Sequence, residues 1–175
     1  MKALLSIMDN KLGNEIAEEM KAHFPQFEII EYRHDGKLFE YPGIKKAAEL
    51  SIEYNEPILY LHTKGAGNPN EYQPRVRNNW YNWWSFEWYK QWSDGITCIV
   101  SGPTKETWFN SFIIYPDAAK IILDKMEISK NRYYYEALPR HLDINLHALF
   151  TNVEPTELSN YFNREKFIQT KVNYD

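Results

Sequence analysis

Apolar positions follow two rhythms along this chain. Short apolar runs of strand length occupy residues 3–8, 27–32 and 58–61. Between them lie stretches in which apolar residues recur every three or four positions. Ile16, Ala17, Met20 and Phe24 mark a helix over about 15–24 that Pro25 ends, and a second helix over about 44–54 follows Tyr41-Pro42-Gly43. The order β-α-β-α-β predicts parallel strands joined by right-handed crossovers.

Residues 71–92 then place Trp80, Trp84, Trp88 and Trp92 at successive i, i+4 positions, with Trp83 beside them. On one helix these form a continuous aromatic stripe. The stripe suits packing on the sheet, and a ligand-facing role stays open for the rings nearest the preceding loop. A buried strand is predicted at 96–100 and an apolar stretch of strand length at 108–115. Beyond these, a helix is predicted from Pro116 to about 126, and an aromatic turn or short helix at 132–136. A further helix over about 142–150 would carry Asp143 and His147. From about residue 151 the chain turns polar, with a short docking helix expected at 157–167.

The expected architecture is α/β, a mostly parallel sheet flanked by helices. The 175 residues suffice for one cored domain spanning 1–175. A hydrophobic share of 43% and a charged share of 25% are those of an ordinary globular chain. The net charge of −4 argues against a generic nucleic-acid or membrane-surface binder, so no nucleic-acid partner is expected. No stretch approaches the roughly 18 apolar residues of a membrane span. The single cysteine, Cys98, permits no internal disulfide and no cysteine-based metal site, which fits a reducing, cytoplasmic setting. The chain is rich in aromatics, with 6 Trp, 13 Tyr and 9 Phe, side chains that build cores and also stack on sugars and bases.

The chemistry concentrates in residues 56–70, EPILYLHTKGAGNPN. An apolar strand switches abruptly to His62, Thr63, Lys64 and Gly65. In open α/β sheets, ligand sites lie at the carboxyl ends of the strands. Arg75 and Arg77 enter the next helix behind Pro74, where guanidinium groups can grip a phosphate or remain solvated surface charges. Walker and dinucleotide glycine motifs, a Gly-x-Ser-x-Gly elbow and a His-Glu-x-x-His motif are all missing, and the five histidines are scattered. Polar groups at strand ends and loops remain: Asp9, Arg33, His62, Thr63, Lys64, Arg75, Arg77, Asn110 and Ser111. Cations under a parallel sheet suit a diphosphate, and an aromatic wall suits a sugar or base ring. Together they would hold a nucleotide-sugar.

The blocks ILYLHTKGAGN, RVRNNW, GITCIVSGP and WFNSFIIY, in this order, resemble a group of small bacterial and viral glycosyltransferase-like proteins. The likeness covers about residues 57–125. It implies a compact glycosyltransferase fold of the A type (GT-A-like), a nucleotide-binding α/β sandwich. It implies transfer of a sugar from a nucleotide-sugar donor to a glycan or glycoconjugate acceptor, as in polysaccharide biosynthesis. In the A-type fold the strand matching 58–61 usually ends in Asp-x-Asp, whose carboxylates hold a divalent cation, Mn or Mg. Here His62-Thr63-Lys64 stands in that place, so no metal ligand is assigned. Instead Lys64, helped by Arg75 or Arg77, is expected to stabilise the leaving diphosphate. The donor side would comprise Asp9, His62, Thr63, Lys64, Gly65, Arg75 and Arg77. The acceptor side would comprise Trp108, Asn110 and Ser111. Asp143 is nominated as the base that deprotonates the acceptor hydroxyl, with Asp94 and Glu106 as competitors. The alternative of another class is a non-catalytic nucleotide- or carbohydrate-binding module of the same fold. A third is an interaction protein whose Trp-rich helix is a partner surface.

Overall fold

The computed structural model describes residues 1–69, 73–101, 111–131 and 133–151. Strand β1 (Lys2–Met8) leads through α1 (Lys11–His23) to β2 (Glu28–His34), then through α2 (Tyr41–Tyr54) to β3 (Ile58–His62). Helix α3 (Gln73–Trp84) and a 3-10 turn (Trp88–Gln91) precede β4 (Ile96–Ser101). Strand β5 (Phe112–Ile114), α4 (Pro116–Lys125), α5 (Tyr133–Glu136), α6 (Leu138–Leu142) and β6 (Leu146–Thr151) complete the described chain. No described helix is long and apolar enough to cross a membrane.

The six strands form one sheet in the order β2-β1-β3-β5-β4-β6. β1 pairs in parallel with β2 and β3, and β4 in parallel with β6. β5 runs antiparallel to both β3 and β4, so the sheet is mixed, with five strands pointing one way. The side-chain alternation of strands divides the core between two faces. Ala3, Leu5, Ile7, Leu59 and Leu61 face α1 and α3, meeting Ile16, Met20, Trp80 and Trp84. Leu4, Ile58, Tyr60, Phe112 and Ile114 face α2 and α4, meeting Ile44, Ala47, Ala118 and Ile122. Gly43 lets α2 lie directly on the sheet: a Cβ there would fall 2.3 Å from Ser6 Oγ and 3.0 Å from Tyr60 Cε2.

Local chemistry explains where helices begin and end. Asn10 caps α1, its Oδ1 accepting from the Gly13 amide at 2.6 Å, so the helix starts earlier than its apolar periodicity suggests. The tryptophan stripe is not one helix. α3 stops at Trp84, and Trp88 and Trp92 return through the 3-10 turn. Trp84 and Trp88 stack at 5.2 Å, and Trp88 meets Trp92 edge to face at 5.9 Å. Trp80, Trp83 and Trp84 are fully buried in the core.

Residues 142–150 are not a helix either. α6 ends at Asp143, in the left-handed region at φ 55°, and the following residues extend as β6 beside β4. Of the expected strand at 108–115, only Phe112–Ile114 is strand among the described residues. Residues 108–110 and the expected docking helix at 157–167 lie outside them.

Candidate functional site

Strands β2 and β3 flank β1, and their connections cross opposite faces of the sheet: α1 packs on one face, α2 on the other. The chain leaves β1 and β3 toward the face of α1 and α3 and leaves β2 toward the face of α2, so a crevice opens at the carboxyl ends of these strands, between the segments that follow β2 and β3. A cavity of about 300 Å³ occupies that position. The end of β2 and the turn after it contribute His34, Gly36, Phe39 and Glu40 to one wall, and the loop after β3 contributes Thr63, Lys64, Gly65, Gly67 and Asn68 to another. Met8, Tyr60 and His62 come from the strands, and Gln73 from the start of α3.

The loop after β3 is tied down at Thr63, Lys64 and Ala66. The Thr63 amide donates to the Ser6 carbonyl at 3.0 Å, and the Met8 amide donates to Thr63 Oγ1 at 3.0 Å. The Lys64 amide donates to the His62 carbonyl at 2.7 Å, and the Ala66 amide to the Thr63 carbonyl at 3.0 Å. Asn10 Nδ2 donates to the Ala66 carbonyl at 3.1 Å, so the cap of α1 also holds this loop. Gly65 has φ +98°, and a Cβ there would approach Gln73 Cβ to 2.8 Å, so a side chain is excluded on both counts. Thr63 and Lys64 are buried in the wall although both are polar.

Arg77 holds the loop from behind. Its Nη1 donates to the Lys64 carbonyl at 2.8 Å, and its Nε and Nη2 donate to the two Glu19 carboxylate oxygens, each at 3.1 Å. Tyr81 Oη donates to the same carboxylate at 2.7 Å. Burial pushes the Glu19 carboxyl up, but the hydrogen bonds from Arg77 and Tyr81 and the Arg77 charge outweigh it and leave it below the usual value. The same burial and the Glu19 contact push the Tyr81 phenol far above its ordinary range.

Burial lowers the His34 imidazole, with Asp35 and Glu40 opposing, and its Nδ1 accepts from the Gly36 amide at 3.1 Å. Burial, reinforced by the Glu40 charge and eased by the Ser6 hydroxyl, holds the Tyr60 phenol well above its usual value. His62 lies edge-on to Trp80 at 5.2 Å and stacks on Tyr60 at 6.0 Å. Phe39 is two-fifths exposed at the rim with φ 51°, a conformation uncommon for an aromatic residue. Glu40 is the N-cap residue of α2 yet makes no side-chain cap bond, and its Oε2 is buried without a hydrogen-bond partner among the described residues.

Of the residues singled out from sequence, His62, Thr63, Lys64 and Gly65 come together in this pocket. Arg77 does not line it; its guanidinium is spent on Glu19 and the Lys64 carbonyl. Asp9 is exposed outside the pocket, 3.8 Å from Arg33. Arg75 falls in the first turn of α3, with its side chain outside the described residues. Ser111 is buried, its Oγ accepting from Trp84 Nε1 at 2.7 Å, a packing contact on the same rim of the sheet. Trp108 and Asn110 lie outside the described residues, as does Glu106.

Asp143 precedes β6, whose first residue, Leu146, pairs with Ile96 at the start of β4. It is therefore exposed at the amino edge of the parallel strands, opposite the pocket. Asp94 is at that edge too, 3.0 Å from His147 Nε2.

Sequence reasoning missed His34, Phe39 and Glu40. The signal was available, since β2 runs parallel to β3 and its carboxyl end reaches the same rim. Two histidines and a glutamate line the pocket, but among the described residues no three His, Cys, Asp or Glu side chains are grouped to hold a metal ion. The set does not fit a divalent cation held by protein carboxylates. Comparison with family models, curated proteins and solved structures finds no match for this chain.

Proposed function

We propose that the protein is a glycosyltransferase that binds a nucleotide-diphospho-sugar in the crevice at the ends of β1, β2 and β3 and transfers the sugar to a glycan acceptor. One observation carries this reading: Lys64 sits in the wall of a cavity at the divergence point of an α/β sheet, on a loop whose backbone is fixed by five hydrogen-bonded contacts. In such a reaction the bond from the anomeric carbon to the diphosphate breaks, and a bond from that carbon to an acceptor oxygen forms. The acceptor proton passes to a base, and negative charge builds on the diphosphate. A cation fixed before the reaction stabilises that charge without reorganisation. The sequence likeness of HTKGAGN and its following blocks to the GT-A-like group supports the same reading.

A thermal-shift and calorimetry series with UDP, GDP and dTDP and their sugars, with and without manganese, tests it. Binding of a nucleoside diphosphate that weakens by about tenfold or more in Lys64→Met, with the melting temperature retained, is the expected result. Failure of every nucleoside diphosphate to bind would sink the proposal. The second reading, a non-catalytic binding module, draws on Asp143 lying at the opposite edge from the pocket. It predicts the same binding with no release of diphosphate from the donor, so a donor-turnover assay separates the two.

A further inference from the structure

We infer that Glu40 is the acceptor for a vicinal diol of the bound ligand, and that the diol is the ribose of a ribonucleoside diphosphate. This inference rests on the nucleotide-binding reading above and names the part of the ligand that the wall after β2 recognises.

Three observations converge on Glu40. Its Oε2 is buried in the described fold, yet no donor reaches it. A buried carboxylate oxygen without a partner is costly, and native structures rarely leave one unexplained. Its place at the start of α2 offers an obvious use, capping the helix amides, and the side chain does not take it. The residue also lines the cavity, so a turn of its carboxylate presents it to a ligand in the crevice.

The neighbours narrow the ligand. Phe39, adjacent in sequence, presents an exposed ring at the rim and keeps φ at 51°, held in a turn where its amide donates to the Gly36 carbonyl at 3.3 Å. Backbone strain of this kind persists where the surroundings impose it, and it gathers at ligand sites. An aromatic face beside an unpaired carboxylate matches a ring that carries two adjacent hydroxyls. Lys64 stands on the loop after β3, on the other side of β1. One wall therefore offers a ring platform and a hydroxyl acceptor, and the other offers a cation. A ribonucleoside diphosphate is polarised in the same sense, with base and ribose at one end and phosphates at the other. In dinucleotide-binding sheets an acidic residue plays this part, taking the ribose 2′-hydroxyl.

The test compares UDP, 2′-deoxy-UDP and a UDP-hexose by calorimetry on the wild-type protein and on Glu40→Gln, with GDP and 2′-deoxy-GDP as a parallel pair. The wild type should prefer the ribonucleotide by about tenfold, since a buried acceptor left unpaired penalises the deoxy ligand. Glu40→Gln should shrink that preference to about twofold or less while leaving 2′-deoxy-UDP binding nearly unchanged. Its melting temperature without ligand should hold, because the variant removes no hydrogen bond made by Oε2 within the described fold. Binding of nucleotides with an undiminished ribose preference in Glu40→Gln overturns the inference and leaves the nucleotide-binding reading intact. Loss only of the advantage of UDP-hexose over UDP would place the diol on the transferred sugar and overturn the ribose assignment. A marked fall in melting temperature would make Glu40 a structural residue and overturn it as well. Absence of binding by every nucleotide in the wild type ends both readings.

Discussion

Arg77→Met separates a residue that holds the loop from one that touches the ligand. The change removes one hydrogen bond to a buried carbonyl, that of Lys64 at 2.8 Å, and two to Glu19, each at 3.1 Å. An unsatisfied buried carbonyl costs about 1–3 kcal/mol. The Glu19 side chain is 37% exposed and keeps its Tyr81 partner, so that pair counts only at a solvent-screened value. Such a pair is worth about 0.2–1 kcal/mol. The sum is about 1–4 kcal/mol, which lowers the melting temperature of a chain this size by about 2–16 °C. Far-UV circular dichroism on heating and a urea titration measure it, with an unchanged urea slope confirming that only stability moved. Arg77→Lys should recover little, because a single ammonium cannot span both the carboxylate and the carbonyl. On the nucleotide-binding proposal, nucleotide affinity should fall as well, through the slackened Lys64 backbone. The reasoning is refuted if Arg77→Met melts within about 1 °C of the wild type. It is equally refuted if affinity collapses with stability untouched, the signature of direct contact with phosphate.

The same cluster sets a pH dependence. Because the folded Glu19 carboxyl lies below its usual value, its contribution is complete above the ordinary glutamate pKa, about 4.3. The contribution is lost as pH falls through the depressed folded value. Stability of the wild type should therefore fall more steeply than that of Glu19→Gln between pH 5 and 3, about the range spanned by ordinary carboxylates; parallel curves in urea titrations across that range would dismiss the assignment. Gly43→Ala drives a Cβ to 2.3 Å from Ser6 Oγ and should destabilise by about 1–3 kcal/mol, through displacement of α2. A melting temperature equal to the wild type's would show that α2 can lift off the sheet without penalty.

Much of this architecture is legible in the residues themselves, for physical reasons. The runs ending at Met8, Tyr32 and Leu61 are short and apolar and are separated by amphipathic helices, a pattern that admits little besides parallel strands with crossovers. That same pattern fixes the rim at which His62, Thr63 and Lys64 emerge. Residues 142–150 mislead because a short apolar run satisfies both periods. Ile144, Leu146, Ala148 and Phe150 alternate, while Leu142, Leu146 and Leu149 keep helical spacing. The parallel edge offered by β4 settled the matter, and local pattern does not contain it. The tryptophan stripe misleads in another way. Perfect i, i+4 spacing describes a helix only while nothing interrupts it, and Ser85, Phe86 and Glu87 break α3 after Trp84. Arg77 shows the limit for sites. A guanidinium near a helix start fits an anion from solvent or an anion from the protein equally well, and only the position of Glu19 on α1 decides between them.

The contact of Gly43 with Ser6 and Tyr60 has a consequence for which molecules the crevice admits. With the helix pressed against the strands at that depth, the base of the crevice cannot dilate to take a bulkier group. On the binding reading proposed above, discrimination among ligands falls to the turn carrying Phe39 and Glu40 and to the loop carrying Lys64. Substitutions in those two segments should retune ligand choice while the scaffold beneath them stays unaltered.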